Sequence, residues 1–262
     1  CLGGHKGRPY DGGVVLARLS VVALLLALAP VPATGQAHKP PSGMDTYLFG
    51  IVRTGHVAPA PAAEAKTLQE GHLRNMERMA DEGLLVGAGP LRDAGDYRGI
   101  FIFKADRRED VEKRVQDDPL IRSGRLVLEL LPWWGPEKIG ERYFAAKRHD
   151  PVAPDRMVAY QLAFLKAGPN RKPDVDPETE KIQAGHMAHI QKMAEAGQLV
   201  AAGPFLEEGT LRGVFVFKLD SVQQAREIAS QDPAVQAGRL VLETFEWFVA
   251  EGVLPQPAPA PR

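Results

Sequence analysis

The chain has 262 residues, with 32 basic and 33 acidic side chains and a formal net charge of -1. That balance excludes the basic surplus expected of a nucleic-acid binder, and a hydrophobic content of 44% excludes disorder over most of the length. The single cysteine, Cys1, excludes an internal disulfide framework, a cysteine-rich zinc site and a thiol nucleophile further along.

In chain order, the first feature is the apolar run LSVVALLLALA at residues 19–29, preceded by Arg18 and followed by PVPATGQA. A basic flank, a short apolar core and a small-residue exit predict a signal peptide over residues 1–37, with exit after Ala33 or Ala37. The run is about half the ~20 residues that a spanning helix needs. The expected mature protein is therefore secreted or periplasmic, with no membrane attachment after the signal is removed.

Residues 45–53 read as an apolar, aromatic-containing strand. The Pro/Ala-rich stretch 57–63 leads to a helix near 65–82, with Leu73, Met76, Met79 and Ala80 expected on its apolar face and Gly83 as its stop. A short strand at 84–88 is expected to end at Gly89-Pro90. GIFIFK (99–104) is a strand, 107–116 a helix, and Asp118-Pro119 opens a turn closed by Gly124. The last strand runs from Leu126 to Trp134.

The pattern then starts again. Residues 69–133 align with 183–247 at a constant offset of 114, with no gap and 27 of the 65 positions identical. QEGHLRNMERMADEGLLVGAGPL meets QAGHMAHIQKMAEAGQLVAAGPF, and DPLIRSGRLVLE meets DPAVQAGRLVLE. Upstream, TYLFGIVRTG meets AYQLAFLKAG one residue out of phase. Such self-similarity means one supersecondary unit written twice. The expected organisation is a first domain at 44–134, a linker at 135–156, a second domain at 157–250 and a Pro/Ala-rich tail at 251–262. In IFIF (100–103) and VFVF (214–217) both faces of the strand are apolar, so both faces of the sheet need cover. The simplest cover is the other copy's sheet, giving a pseudo-twofold pair within one chain; pairing between chains, or a further oligomer of the pair, remains open.

A His early in helix one (GHLRNMERMADEG, GHMAHIQKMAEAG), a following AGP turn, and a later Asp-Pro with Gly five residues on (DPLIRSG, DPAVQAG) together resemble the YciI-like, or YCII-related, family of small α+β proteins. The resemblance spans nearly all of both units. It implies ferredoxin-like βαββαβ units packed sheet to sheet in a dimeric α/β-barrel arrangement, which the strand pattern also predicts. It further implies a His–Asp active site, mapping onto His72 with Asp118 and His186 with Asp232.

His can both give and take a proton near neutrality, and a carboxylate on one ring nitrogen fixes its tautomer. With no Ser or Cys nucleophile in the pattern, such a pair suits proton shuttling, as in isomerisation or elimination. Asp before Pro is equally a common helix N-cap. Arg98 and Arg212, each before a Gly at a strand start, are candidates for gripping a substrate carboxylate. Glu129 and Glu243 interrupt an apolar strand face and are candidate proton acceptors or substrate contacts; Arg125 and Arg239 also recur. His186-x-x-His189 shares a helix face but has no third ligand at a diagnostic spacing, and no loop cradles a phosphate. No metal or cofactor is expected. The reading is an isomerase or lyase acting on a small-molecule ligand, or else a non-catalytic binding or scaffold protein of the same fold.

Overall fold

A computed structural model describes residues 39–172 and 177–256. The expected signal peptide lies outside the described residues, as does the end of the tail.

The first unit comprises β1 (Met44–Thr54), α1 (Ala62–Asp81), β2 (Leu85–Arg92), β3 (Tyr97–Phe103), α2 (Arg108–Val115), α3 (Pro119–Arg122) and β4 (Leu126–Pro136). After α4 (Glu141–His149), the second unit repeats the order as β5 (Met157–Ala167), α5 (Pro177–Glu195), β6 (Leu199–Pro204), β7 (Leu211–Phe217), α6 (Val222–Ala229), α7 (Pro233–Gln236) and β8 (Leu240–Ala250). All eight strands join in one antiparallel sheet, in the order β4-β1-β3-β2-β8-β5-β7-β6. A Trp133–Phe205 bridge and a 2.9 Å bond from Leu206 N–H to Pro132 O bring the two ends together. The result is a nearly closed barrel with the helices outside. Because neighbours alternate in direction, β1 and β5 run the same way, and the pseudo-twofold axis lies along the barrel.

The two apolar faces of IFIF and VFVF find two different environments. Ile100, Ile102, Val214 and Val216 point into the barrel with Phe49, Phe164, Trp133 and Trp247. Phe101 and Phe103 pack under the helices of the first unit, Phe215 and Phe217 under those of the second. The barrel is thus filled with side chains.

The seams between units correct one expectation. Gly89-Pro90 does not end its strand, because β2 continues to Arg92 and pairs Leu91 with Trp247 of β8. The reason is steric. A Cβ on Gly89 would lie 1.7 Å from Phe248 O, and one on Gly203 equally close to Trp134 O. Only glycine lets the two backbones meet, and each seam is then tied by an indole: Trp247 Nε1–H donates to Gly89 O and Trp133 Nε1–H to Gly203 O, both at 3.2 Å.

The expected linker is also structured. Its α4 meets the segment after β8 through Gly140 N–H to Val253 O (2.7 Å) and Tyr143 N–H to Gly252 O (3.2 Å). Ile139, Val253 and Leu254 are buried in the inner cluster and close one mouth of the barrel. Desolvation at this end pushes the Tyr47 and Tyr143 phenols up to about 12. No described helix is long and apolar enough to cross a membrane.

Of the face expected on α1, Met79 is buried, Met76 packs against the core and Ala80 is partly buried, but Leu73 is exposed. Polar side chains share that face: Asn75 is buried, its Nδ2–H donating to Arg114 O at 3.5 Å, and His72 turns to Asp118.

Candidate functional site

In each unit the histidine and aspartate, 46 residues apart in sequence, meet. His72 Nδ1 lies 2.5 Å from Asp118 Oδ2, and His186 Nδ1 lies 2.6 Å from Asp232 Oδ2. The cap and the histidine's partner are the same residue, because the two carboxylate oxygens divide the work. Asp118 Oδ1 accepts from Leu120 N–H (2.9 Å) and Ile121 N–H (3.4 Å) at the start of α3, and Asp232 Oδ1 accepts from Ala234 N–H (2.8 Å) at the start of α7. Oδ2 is left to accept from the imidazole. Nδ1 therefore carries a proton, and Nε2 is the ring position at which a proton can come and go.

Burial fixes this geometry. The aspartate side chains are 1% and 0% exposed, the histidines 12% and 11%. Each imidazole stacks on a strand phenylalanine: His72 on Phe101 (centroids 6.1 Å, 22°) and His186 on Phe215 (6.0 Å, 21°).

Two residues that carry this arrangement were not singled out from the sequence. A Cβ on Gly71 would stand 2.7 Å from Pro119 Cγ, and one on Gly185 2.9 Å from Pro233 Cγ. Glycine inside a helix is unfavourable in isolation, and here it lets the helix approach the Asp-Pro turn closely enough for His to reach Asp. The repeated Gly-His dipeptide was the available signal. Gly71→Ala is expected to push α1 off Pro119 and lengthen the bond. A low-field Nδ1–H proton resonance is expected for each histidine of the wild type; in the variant that of His72 should shift upfield or disappear while that of His186 persists.

The other predicted residues do not join the dyads. Glu129 and Glu243 share the inner face of their strands with Trp133 and Trp247, on the opposite side of the sheet from the histidines. They are also half-exposed rather than buried. Glu129 pairs with Arg53 at 3.0 Å; Glu243 pairs with Lys166 at 3.3 Å and accepts from the Tyr97 hydroxyl at 3.3 Å. Arg98 is exposed and Arg212 half-buried. His189 Nε2 lies 3.0 Å from Ile228 O, the position at which Asn75 meets Arg114 O in the first unit, so this ring nitrogen is held by the backbone. Among the described residues, no three His, Cys, Asp or Glu side chains are grouped to hold a metal ion.

The fold and these pairs define a dimeric α/β-barrel protein made from one chain, with a His–Asp dyad outside the barrel in each half. The chain belongs to the YCII-related domain family, whose profile matches residues 51–134 and again 164–247. No curated protein matches it significantly. Among solved structures, two mutant forms of chlorite dismutase from Candidatus Nitrospira defluvii share the fold. One has a TM-score of 0.52 at 11% identity, over 82% of this chain and 94% of its own. The other has a TM-score of 0.50 at 9% identity, over 80% and 92%. A heme-binding protein from Thermus thermophilus aligns at a TM-score of 0.46 and 14% identity, over 81% and 95%.

Proposed function

We propose that each half binds a small molecule and moves a proton on it, the histidine Nε2 acting as general base and then general acid in an isomerisation or elimination. The observation that supports this reading is the divided carboxylate: Oδ1 is consumed by the helix cap and Oδ2 holds Nδ1–H, in both halves. A buried Asp that served only as a cap would have no need of a histidine. In the reaction, Nε2 takes a proton from carbon and the adjacent Asp stabilises the imidazolium that forms. The same Nε2 then returns the proton to a neighbouring position, or retains it while a leaving group departs. Phe101 and Phe215 hold the rings flat, so little reorganisation is needed. In the same proposal the activity lies outside the cytoplasm, a reading supported by the apolar run at 19–29.

The test is a thermal-shift screen of small molecules on the wild type and on His72→Ala/His186→Ala, with each hit then incubated in D2O and followed by proton NMR. Hits should stabilise the wild type and not the double variant. Deuterium wash-in should fall by on the order of 10²–10⁴ in the variant. Equal stabilisation of both proteins would count against the site. Stabilisation specific to the wild type without any wash-in would make the protein a binding module of this fold.

A further inference from the structure

A charged residue follows the Asp-Pro turn in each half and takes no part in the dyad. Arg125 and Arg239 recur at the offset of 114, and the fold fixes their backbones identically. Arg125 N–H donates to Leu120 O (3.0 Å) and its carbonyl accepts from Gly55 N–H (2.8 Å); Arg239 repeats this with Ala234 O (2.9 Å) and Gly168 N–H (2.8 Å). Each side chain reaches the first turn of the helix that carries the histidine. Arg125 Nη2 meets Glu64 Oε1 at 3.1 Å, and Arg239 Nη1–H donates to Thr179 Oγ1 at 3.1 Å.

Arg125 is not satisfied by that contact. Its side chain is 20% exposed against 51% for Glu64, and its Nε–H is buried with no acceptor. A buried donor without a partner is unfavourable. A carboxylate facing the guanidinium would engage two N–H groups in its planar fork, which the single contact from Glu64 does not. Glu64, Leu68 and His72 recur at i, i+4 and i+8, one face of α1. The eight residues from Glu64 to His72 span about 12 Å of helix. Asp118 and Arg125 bracket α3 beneath that same face. An acid held at the guanidinium would therefore lie on the same face of α1 as the histidine, about 12 Å from it along the helix.

We propose that Arg125 anchors a carboxylate of the substrate, so that the ligand class is a small organic acid and Glu64 is the group it displaces. This rests on the dyad acting on a bound small molecule, and the experiment separates the two claims.

The probes are benzoate and its neutral isostere benzamide, titrated by NMR while the resonances of the first unit are followed. Wild type should bind benzoate in preference to benzamide. Arg125→Gln should weaken benzoate by about 10-fold or more, the scale of a lost charge-assisted pair, with benzamide unchanged. Glu64→Gln, an exposed substitution that does not threaten folding, should tighten benzoate by removing the competitor. Benzoate and benzamide binding alike to wild type, no tightening in Glu64→Gln, or undiminished benzoate affinity in Arg125→Gln would overturn the proposal. Preserved benzoate selectivity with no deuterium wash-in on any acid would instead overturn the acid–base reading alone.

Discussion

Trp247→Ala is expected to cost about 3–5 kcal/mol of stability, the range for truncating a fully buried aromatic to alanine. Trp247 is 0% exposed and lies in the inner cluster beside strands of both units. Its indole is also the tie across the seam, donating to Gly89 O at 3.2 Å over 158 residues of sequence. Truncation opens a cavity in the barrel and orphans an acceptor at the point where only glycine allowed the strands to meet. At roughly 2–4 °C per kcal/mol for a domain of this size, the melting temperature should fall by roughly 6–20 °C. Trp247→Phe, which keeps most of the volume and loses the N–H, should cost about a third as much. Calorimetry and urea titration measure both. The wild type should melt in one transition, because the inner core is shared by the two halves; a Trp247→Ala protein that melts with wild-type stability would mean that the seam does not hold the barrel.

Asp232 separates folding from chemistry. Asp232→Ala removes the cap on Ala234 N–H and the partner of His186 Nδ1 together. Losing an N-cap costs about 0.5–2 kcal/mol, and leaving a buried donor unpaired about 1–3, so a loss of about 2–4 kcal/mol is expected. Asp232→Asn should be much milder, because its amide oxygen can still cap. Its NH₂ then faces Nδ1, which must accept, and the ring takes the other tautomer with its proton on Nε2. Proton abstraction by His186 should fall by on the order of 10³–10⁴ while stability is largely kept. Denaturant melts and deuterium wash-in on the two variants, read in a His72→Gln background so that only the second half acts, check the dissociation. Equal activity of the Asn variant and its parent would remove the aspartate from the mechanism.

The gapless repeat made most of the fold legible. Each unit has to bury one face under its helices, and IFIF and VFVF advertise a second face that also needs cover. The dyad was legible as a set of residues, but its meeting depends on Gly71 and Gly185, whose value appears only where α1 and α5 cross the Asp-Pro turns. Glu129 and Glu243 show the opposite case. Strand alternation correctly puts them on the face of Trp133 and Trp247, yet alternation cannot say which face the histidine helices cover. Leu73 is the one member of the expected α1 stripe that is exposed, because helical spacing defines a stripe only to within about one residue and Asn75 and His72 are bound at its edge.

The amino-acid sequence by itself determined the twofold composition of this protein and the order of its elements, because periodicity and repetition are local properties that any reader of the chain can measure; the His–Asp pairs came from the family resemblance. The tertiary structure alone decided how the units close on each other, which carboxylate oxygen serves the cap and which the imidazole, and where the recurrent arginine reaches. Those outcomes depend on side chains as far as 158 residues apart meeting within hydrogen-bond distance, a consequence of packing that no local pattern encodes.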